Sequence, residues 1–163
     1  MPKSSENENL SRMIKLADEF FEAKSDPTQI SVNGETMARL QAIHPATMTQ
    51  KGNKKGPIAW SMVIPTTVEL MKQFTSKKIN EKELLYNTPL RVKYNALYLC
   101  SALVLPEYRG KGVAKRLVVK AVKAIRKKNP IECFFYWEFS VEGKRLAAAI
   151  AKEFSLPLYK RKA

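Results

Sequence analysis

The chain has 163 residues, 45% hydrophobic and 27% charged, a balance that excludes a disordered chain, a collagen-like fibre and a disulfide scaffold. Its 29 Lys and Arg outweigh 15 Asp and Glu to give a net charge of +14, and the excess lies beyond residue 50, where it builds a field suited to nucleic acid, anionic lipid or a polyphosphate. Cys100 and Cys133 lie in apolar runs as reduced thiols, the N-terminus lacks a signal-peptide core, and the apolar run Ala96 to Pro106 is too short to cross a bilayer, so a soluble cytoplasmic chain forming one domain over 1–163 is expected.

Residues 1–8 read as a loose tail, with Ser5 and Glu8 as a capping-box pair. Leu10, Met13, Ile14, Ala17, Phe20 and Phe21 recur at helical spacing and predict an amphipathic helix ending near Lys24. A short strand over Thr28–Val32 and a short helix carrying Met37, Leu40 and Ile43 follow, the helix stopping before His44-Pro45. Lys51 to Pro57 reads as a basic turn, and Ile58–Ile64 as a strand covered on both faces. Thr66 with Glu69 opens a helix through Phe74, and Asn80 with Glu83 opens another ending near Tyr86. Ala96–Leu105 reads as a fully buried strand. After Gly112, the residues Val113, Leu117, Ala121 and Ile125 mark the buried face of a helix. A strand over Ile131–Phe139, a helix over Glu142–Phe154 and a last strand over Leu158–Lys162 complete a mixed α/β layering around one sheet.

The segment from Leu103 to Leu117 carries the chemistry. A buried strand stops at Pro106, and a helix begins within a turn containing Gly110 and Gly112, where backbone N–H groups approach a ligand without interference from a Cβ. Arg109, Lys111 and Lys115 surround those amides, and the helix N-terminus adds partial positive charge, which together make a phosphate or pyrophosphate cradle. No window supplies the G-x-x-x-x-G-K-[ST] of a P-loop, and the third glycine of a dinucleotide fingerprint is replaced by Lys115. An ordinary strand-to-helix turn with a solvated lysine face accounts for the glycines alone, but not for their combination with the buried strand, Pro106 and the later strand, helix and strand.

What remains is [Arg/Gln]-x-x-Gly-x-[Gly/Ala], present as Arg109-Gly-Lys-Gly112-Val-Ala114 after Val104-Leu-Pro106. This pattern resembles the acyl-coenzyme A signature of the GNAT superfamily of N-acetyltransferases, from Leu97 to about Leu158. The resemblance implies an α/β (α+β) fold, with a mixed, mostly antiparallel central sheet flanked by helices and central strands that splay. It implies acetyl-CoA as co-substrate and direct acyl transfer to an amine within a ternary complex. Carried over, Leu103, Val104 and Leu105 line the pantetheine arm, while Arg109, Gly110, Lys111, Gly112, Val113 and Ala114, with Lys115 beside them, hold the phosphates mostly through main-chain amides. Two family features are missing. Lys144 and Ala151 fall where the family often has an asparagine and a thiolate-protonating tyrosine, and a single strand stands where it closes with a hairpin.

Acyl transfer needs a donor for the oxyanion, a route for the amine proton and an acid for the thiolate. A backbone N–H of Leu105 or a neighbour serves as the first. Glu138, the carboxylate inside Phe134-Phe-Tyr-Trp-Glu-Phe139, is the candidate base, because burial among aromatics would raise a carboxylate's affinity for its proton; the plainer reading is a solvent-facing residue on an alternating strand. Tyr136, two residues earlier on the same strand face, is the candidate replacement acid, with core packing as its plainer role and Tyr159 and Ser140 behind it. His44 reads as a capping or packing residue, Cys100 as inert, and no His/Cys cluster suggests a metal. The expected acceptor is a small-molecule or peptide amine and a homodimer is compatible, while a membrane partner is not expected. Two rivals stand beside this reading: a basic module that binds nucleic acid, although it has no ribonucleoprotein or helix-turn-helix motif, and a coenzyme A binder without catalysis.

Overall fold

The computed structural model describes residues 8–24, 30, 33–138 and 140–162. The capping pair Ser5–Glu8, the short strand over Thr28–Val32 and all of the tail except Glu8 lie wholly or partly outside those residues. Glu8 itself opens helix α1 (Glu8–Lys24), which buries Met13 and Ala17 one turn apart. Helix α2 (Gly34–Ile43) is capped by Asn33, whose side chain accepts from the Thr36 amide at 2.9 Å. His44 ends α2 and caps the 3₁₀ turn Pro45–Thr47, its Nδ1 accepting from the Ala46 amide at 3.0 Å.

Strand β1 (Met48–Asn53) was not expected. It forms a hairpin with β2 (Gly56–Thr66), and the predicted basic turn is the tip of that hairpin, with Lys51 facing Ala59 and Asn53 facing Gly56. Residues 50–53 of β1 are exposed, so no alternation of apolar residues announced the strand. Helix α3 (Val68–Thr75) is capped by Thr67, one residue later than predicted, while Thr66 ends β2, buried, with its hydroxyl 2.8 Å from that of Thr88. Helix α4 (Glu81–Asn87) carries the predicted capping box in full, at 2.7 Å and 3.1 Å.

The strand β3 (Ala96–Val104), helix α5 (Val113–Arg126), strand β4 (Cys133–Trp137), helix α6 (Val141–Phe154) and strand β5 (Leu158–Arg161) follow in order. The five strands lie side by side in chain order. β1/β2 and β2/β3 are antiparallel and form the longer ladders; β3/β4 and β4/β5 are parallel. Parallel neighbours need crossovers, and α5 and α6 supply them, packing on each other and on the same sheet face. Alternation along the strands divides the aromatics between the two faces. Phe74 of α3 meets Tyr98, Phe135 and Trp137 at centroid distances of 5.0, 5.8 and 6.1 Å, while Phe134 meets Phe154 of α6 at 5.9 Å.

Arg161 fastens β5 to α3. Its Nη1 donates to the carbonyls of Phe74 and Ile79, each at 2.7 Å, and its guanidinium lies over the rings of Phe74 and Trp137. The strand predicted over 131–139 shortens to 133–137, which leaves Glu138 beyond its end.

Candidate functional site

β3 and β4 pair only from Ala96–Tyr98 against Cys133–Phe135. β3 then continues to Val104 on its β2 side, whereas β4 pairs through Trp137 with β5. The two central strands therefore part, and the edge of β3 beyond Tyr98 that faces β4 has no strand partner. Apolar side chains that would be buried in a continuous sheet border this opening instead. Residues 99–104 are half-buried, which corrects the expectation of a fully buried strand.

The opening is a cavity of about 650 Å³. Leu99 to Val104 of β3 form one wall, and Leu146, Ala147 and Ile150 of α6 form another. Tyr136 and Trp137 at the end of β4 and Met62 and Val63 of β2 also line it, and the glycine turn with the first turn of α5 forms the mouth.

The register of β2 against β3 slips beside the splay: Met62 faces Ser101 and Val63 faces Leu99, so Cys100 is an extra, bulged residue. Cys100 was expected to be a buried thiol; it is half-buried and borders the cavity. Its Sγ donates to Oε2 of Glu81 at 3.8 Å, and the Tyr98 hydroxyl donates to the same oxygen at 2.6 Å. The Ile30 amide donates to the other oxygen at 3.0 Å. Burial, with Glu81 beside it, pushes the Tyr98 phenol well up, so it stays a donor. Glu81 is fully buried. This network fixes the bulge from the face opposite α5 and α6, and no local sequence signal pointed to Glu81 beyond its place in a helix start.

At the mouth, β3 ends at Val104, Leu105 leads into the 3₁₀ turn Pro106–Tyr108, and Gly110 and Gly112 take left-handed backbone angles, φ +76° and +74°. Left-handed residues in such a turn aim successive N–H groups into one concavity. Gly112 is the N-cap of α5 and offers no side-chain acceptor. The first N–H groups of α5 are therefore uncapped. Asn33, Thr67, Asn80 and Ser140 do cap α2, α3, α4 and α6. The first turn of α5 holds Lys115 and no acid, the reverse of what the helix dipole favours without a bound anion.

Two arginines brace the turn: Nε of Arg109 donates to the Val104 carbonyl at 2.9 Å, and Nη1 of Arg116 donates to the Lys111 carbonyl at 2.8 Å. From behind, Arg12 of α1 makes two bonds to Glu107, at 2.7 and 2.6 Å. The Arg12 hydrogen bond, more than any other influence, holds the Glu107 carboxyl at about 2.

Of the residues that the sequence pointed to, the structure brings Leu103, Val104, Arg109, Gly110, Gly112, Val113, Ala114, Lys115 and Tyr136 together around the cavity. Leu105 is not on its wall. Its amide is tied to the Ile58 carbonyl at 2.9 Å, and its side chain is buried with Met13, Ala59 and Leu117. Lys111 stands outside the lining, 5.9 Å over the Tyr108 ring.

Glu138 also lies outside the lining, against its reading as a base buried among aromatics and closer to its plainer reading as a solvent-facing residue. Its half-buried carboxylate pairs with Lys160 of β5 at 3.5 Å and Lys144 of α6 at 4.0 Å. The strand ends before it, so the two-residue alternation that put it beside Tyr136 stops applying. Ser140 borders the cavity while capping α6, and Tyr159 is exposed. Trp137 and Glu142 border the cavity without having been singled out, because neither carries a motif. Among the described residues there is no cluster of three metal-ligating side chains and no helix long and apolar enough to cross a membrane.

The cradle passes the test that a pyrophosphate sets: two glycines in the left-handed region, an uncapped helix end, nearby cations, and an apolar slot leading inward. Comparison with curated proteins and with solved structures returns no match. A family model described as "Acetyltransferase (GNAT) family" matches residues 75–153, the stretch that contains the bulged strand, the glycine turn, α5, β4 and almost all of α6. The parting of β3 from β4 and the anion cradle thus both fall within a stretch that is similar to the GNAT acetyltransferase family.

Proposed function

We propose that the protein transfers an acetyl group from acetyl-CoA to an amine by direct attack, with no covalent acyl-enzyme. The observation that carries this reading is the opening of the uncapped α5 N-terminus, through the Gly110/Gly112 turn, onto the slot between β3 and β4. Main-chain amides of the turn hold the phosphates, and Arg109 and Lys115 add charge. The unpaired edge of β3 carries backbone groups able to bind an extended pantetheine arm, and a β3 N–H supports the oxyanion as the carbonyl is attacked.

In this reading Tyr136 is the acid that protonates the leaving thiolate. It borders the cavity with Ala147 and Ile150, and Ala151 stands where the family often has its tyrosine. Glu138 is a bracket between β5 and α6 and has no part in the transfer. Glu142, at the mouth, is the one carboxylate among the described lining residues, and no carboxylate is among those on the deep wall. The amine therefore enters as its free base or sheds its proton to water in the cleft. The deep wall of Met62, Val63, Leu99 and Trp137 suits an amine borne on an apolar group. Calorimetry with acetyl-CoA, followed by a broad amine screen for free thiol release, tests the reading. Absence of both binding and release overturns it.

A further inference from the structure

Helix α5 carries more cation than a coenzyme can use. Lys115 and Arg116 stand at the turn, and Arg116, Lys120, Lys123 and Lys127 continue outward at four-, three- and four-residue steps, all exposed. Such spacing places them in one row, and the helical rise puts Lys127 roughly 16 Å beyond Arg116 along the axis. No acid lies between Pro106 and Pro130 except Glu107, and Arg12 occupies that one. Among the described residues no cation of α5 has a carboxylate partner. The helix dipole favours the cations of the last turn but not Lys120 at mid-helix.

The row begins at the donor cradle. A phosphopantetheine thioester comes in two forms, linked to a nucleotide or linked to a protein. The turn meets the diphosphate of the nucleotide, and its separate ribose phosphate needs no more than the cations nearest the turn, Lys115 and Arg116, leaving Lys120, Lys123 and Lys127 without a counterpart. A polyanion lying along this row covers the donor's entrance, so the polyanion compatible with turnover is one that carries the donor. Val141, 59% exposed beside the cavity residues Ser140, Glu142 and Gly143, adds an apolar contact at the same mouth.

We propose that the exposed face of α5 docks an acidic acyl-carrier protein, whose acylated phosphopantetheine arm enters the cleft as an alternative donor. This rests on the proposed donor site at the glycine turn. In the transfer the thioester C–S bond breaks and the C–N bond to the amine forms. The acetyl group leaves the carrier for the amine, and the amine's proton ends on the carrier's thiol.

The test uses a type II acyl-carrier protein bearing acetyl-phosphopantetheine, the same carrier without its arm, acetyl-CoA and a single-stranded RNA oligonucleotide. Each is titrated into the full chain and into a Lys120→Glu/Lys123→Glu/Lys127→Glu variant, whose exposed changes leave the core untouched. The acetyl carrier is expected to bind the wild type, to bind the variant about tenfold or more weakly, and to weaken as salt rises from about 50 to about 300 mM. Acetyl-CoA affinity is expected to be nearly equal in both proteins. No binding of the acetyl carrier, equal binding by the variant, or equal binding of the armless carrier overturns the proposal. So does retention of RNA by the wild type alone with no binding of the carrier. Acetyl-CoA binding without carrier binding sinks the carrier proposal and leaves the donor site standing, whereas loss of both sinks the donor site as well.

Discussion

Replacing Gly112 with valine tests the anion cradle where its geometry is tightest. Gly112 sits at φ +74°, a backbone region that costs a residue with a Cβ about 1–2 kcal/mol. A Cβ there would stand 2.9 Å from Nη1 of Arg116, so the guanidinium must move and its bond to the Lys111 carbonyl is strained, a loss of about 1 kcal/mol. A domain stable by about 5–15 kcal/mol remains folded after such a loss. Binding suffers more, because the side chain fills the concavity into which the first α5 amides point. A hydrogen bond to a charged group contributes about 1.5–3 kcal/mol, so losing one lowers acetyl-CoA affinity roughly 10- to 100-fold. Calorimetry on both proteins reads the affinity, a thermal melt confirms folding, and Gly34→Ala, whose Cβ meets nothing within 4 Å, is the control. A folded Gly112→Val protein that binds acetyl-CoA like the wild type refutes the cradle.

Tyr136→Phe keeps the packing of a ring that is only 6% exposed, and is expected to cut turnover by about 10²-fold with acetyl-CoA affinity intact, while Glu138→Gln leaves turnover unchanged. Thiol release with an established acceptor checks the pair, and the reverse pattern would return the proton chemistry to Glu138. Burial, aided by Lys128, lowers the His44 pKa, so the unfolded chain binds this proton more tightly than the folded one. The contribution of His44 to stability is therefore present above its ordinary value near 6.5 and is lost as pH falls through the lower folded value; melting curves that are flat there in the wild type, or unchanged in His44→Asn, contradict this. Glu107, held at about 2, contributes fully through the Arg12 tie above the ordinary carboxyl value of 4.5, and that contribution is lost progressively as pH falls from there through about 2. Arg12→Ala is expected to shift melting little at neutral pH, since both partners are exposed, and to flatten the acid limb.

Local signals explain what the sequence made legible. The capping box of α4 and the apolar stripe of α5 act within a few residues, and both appear as expected. Gly110 and Gly112 announce a left-handed turn because few other residues adopt one. Elements whose stability comes from partners far along the chain were harder to read. β1 is held by its pairing with β2 rather than by its own pattern, and Thr66 gave up a capping role to pair with Thr88 across 22 residues. Glu138 was misplaced because its strand ends early where β4 turns toward β5. Leu105 follows the motif in sequence, yet the Ile58 carbonyl and α1 hold it away from the slot. Glu81 meets Cys100 and Tyr98 only after folding, so neither its own neighbours nor any spacing pointed to it.

The most direct measurement is a titration of the isotope-labelled protein with acetyl-CoA, followed through its backbone amide resonances. Saturable shifts are expected at Gly110 to Lys115 and along Leu99 to Val104, with the Leu105 amide, bonded to Ile58, moving less. Shifts confined to other surfaces, such as the small hollow beside Asn33 and Tyr86, or no shifts at saturating acetyl-CoA, would contradict a donor site built from the glycine turn and the parted strands.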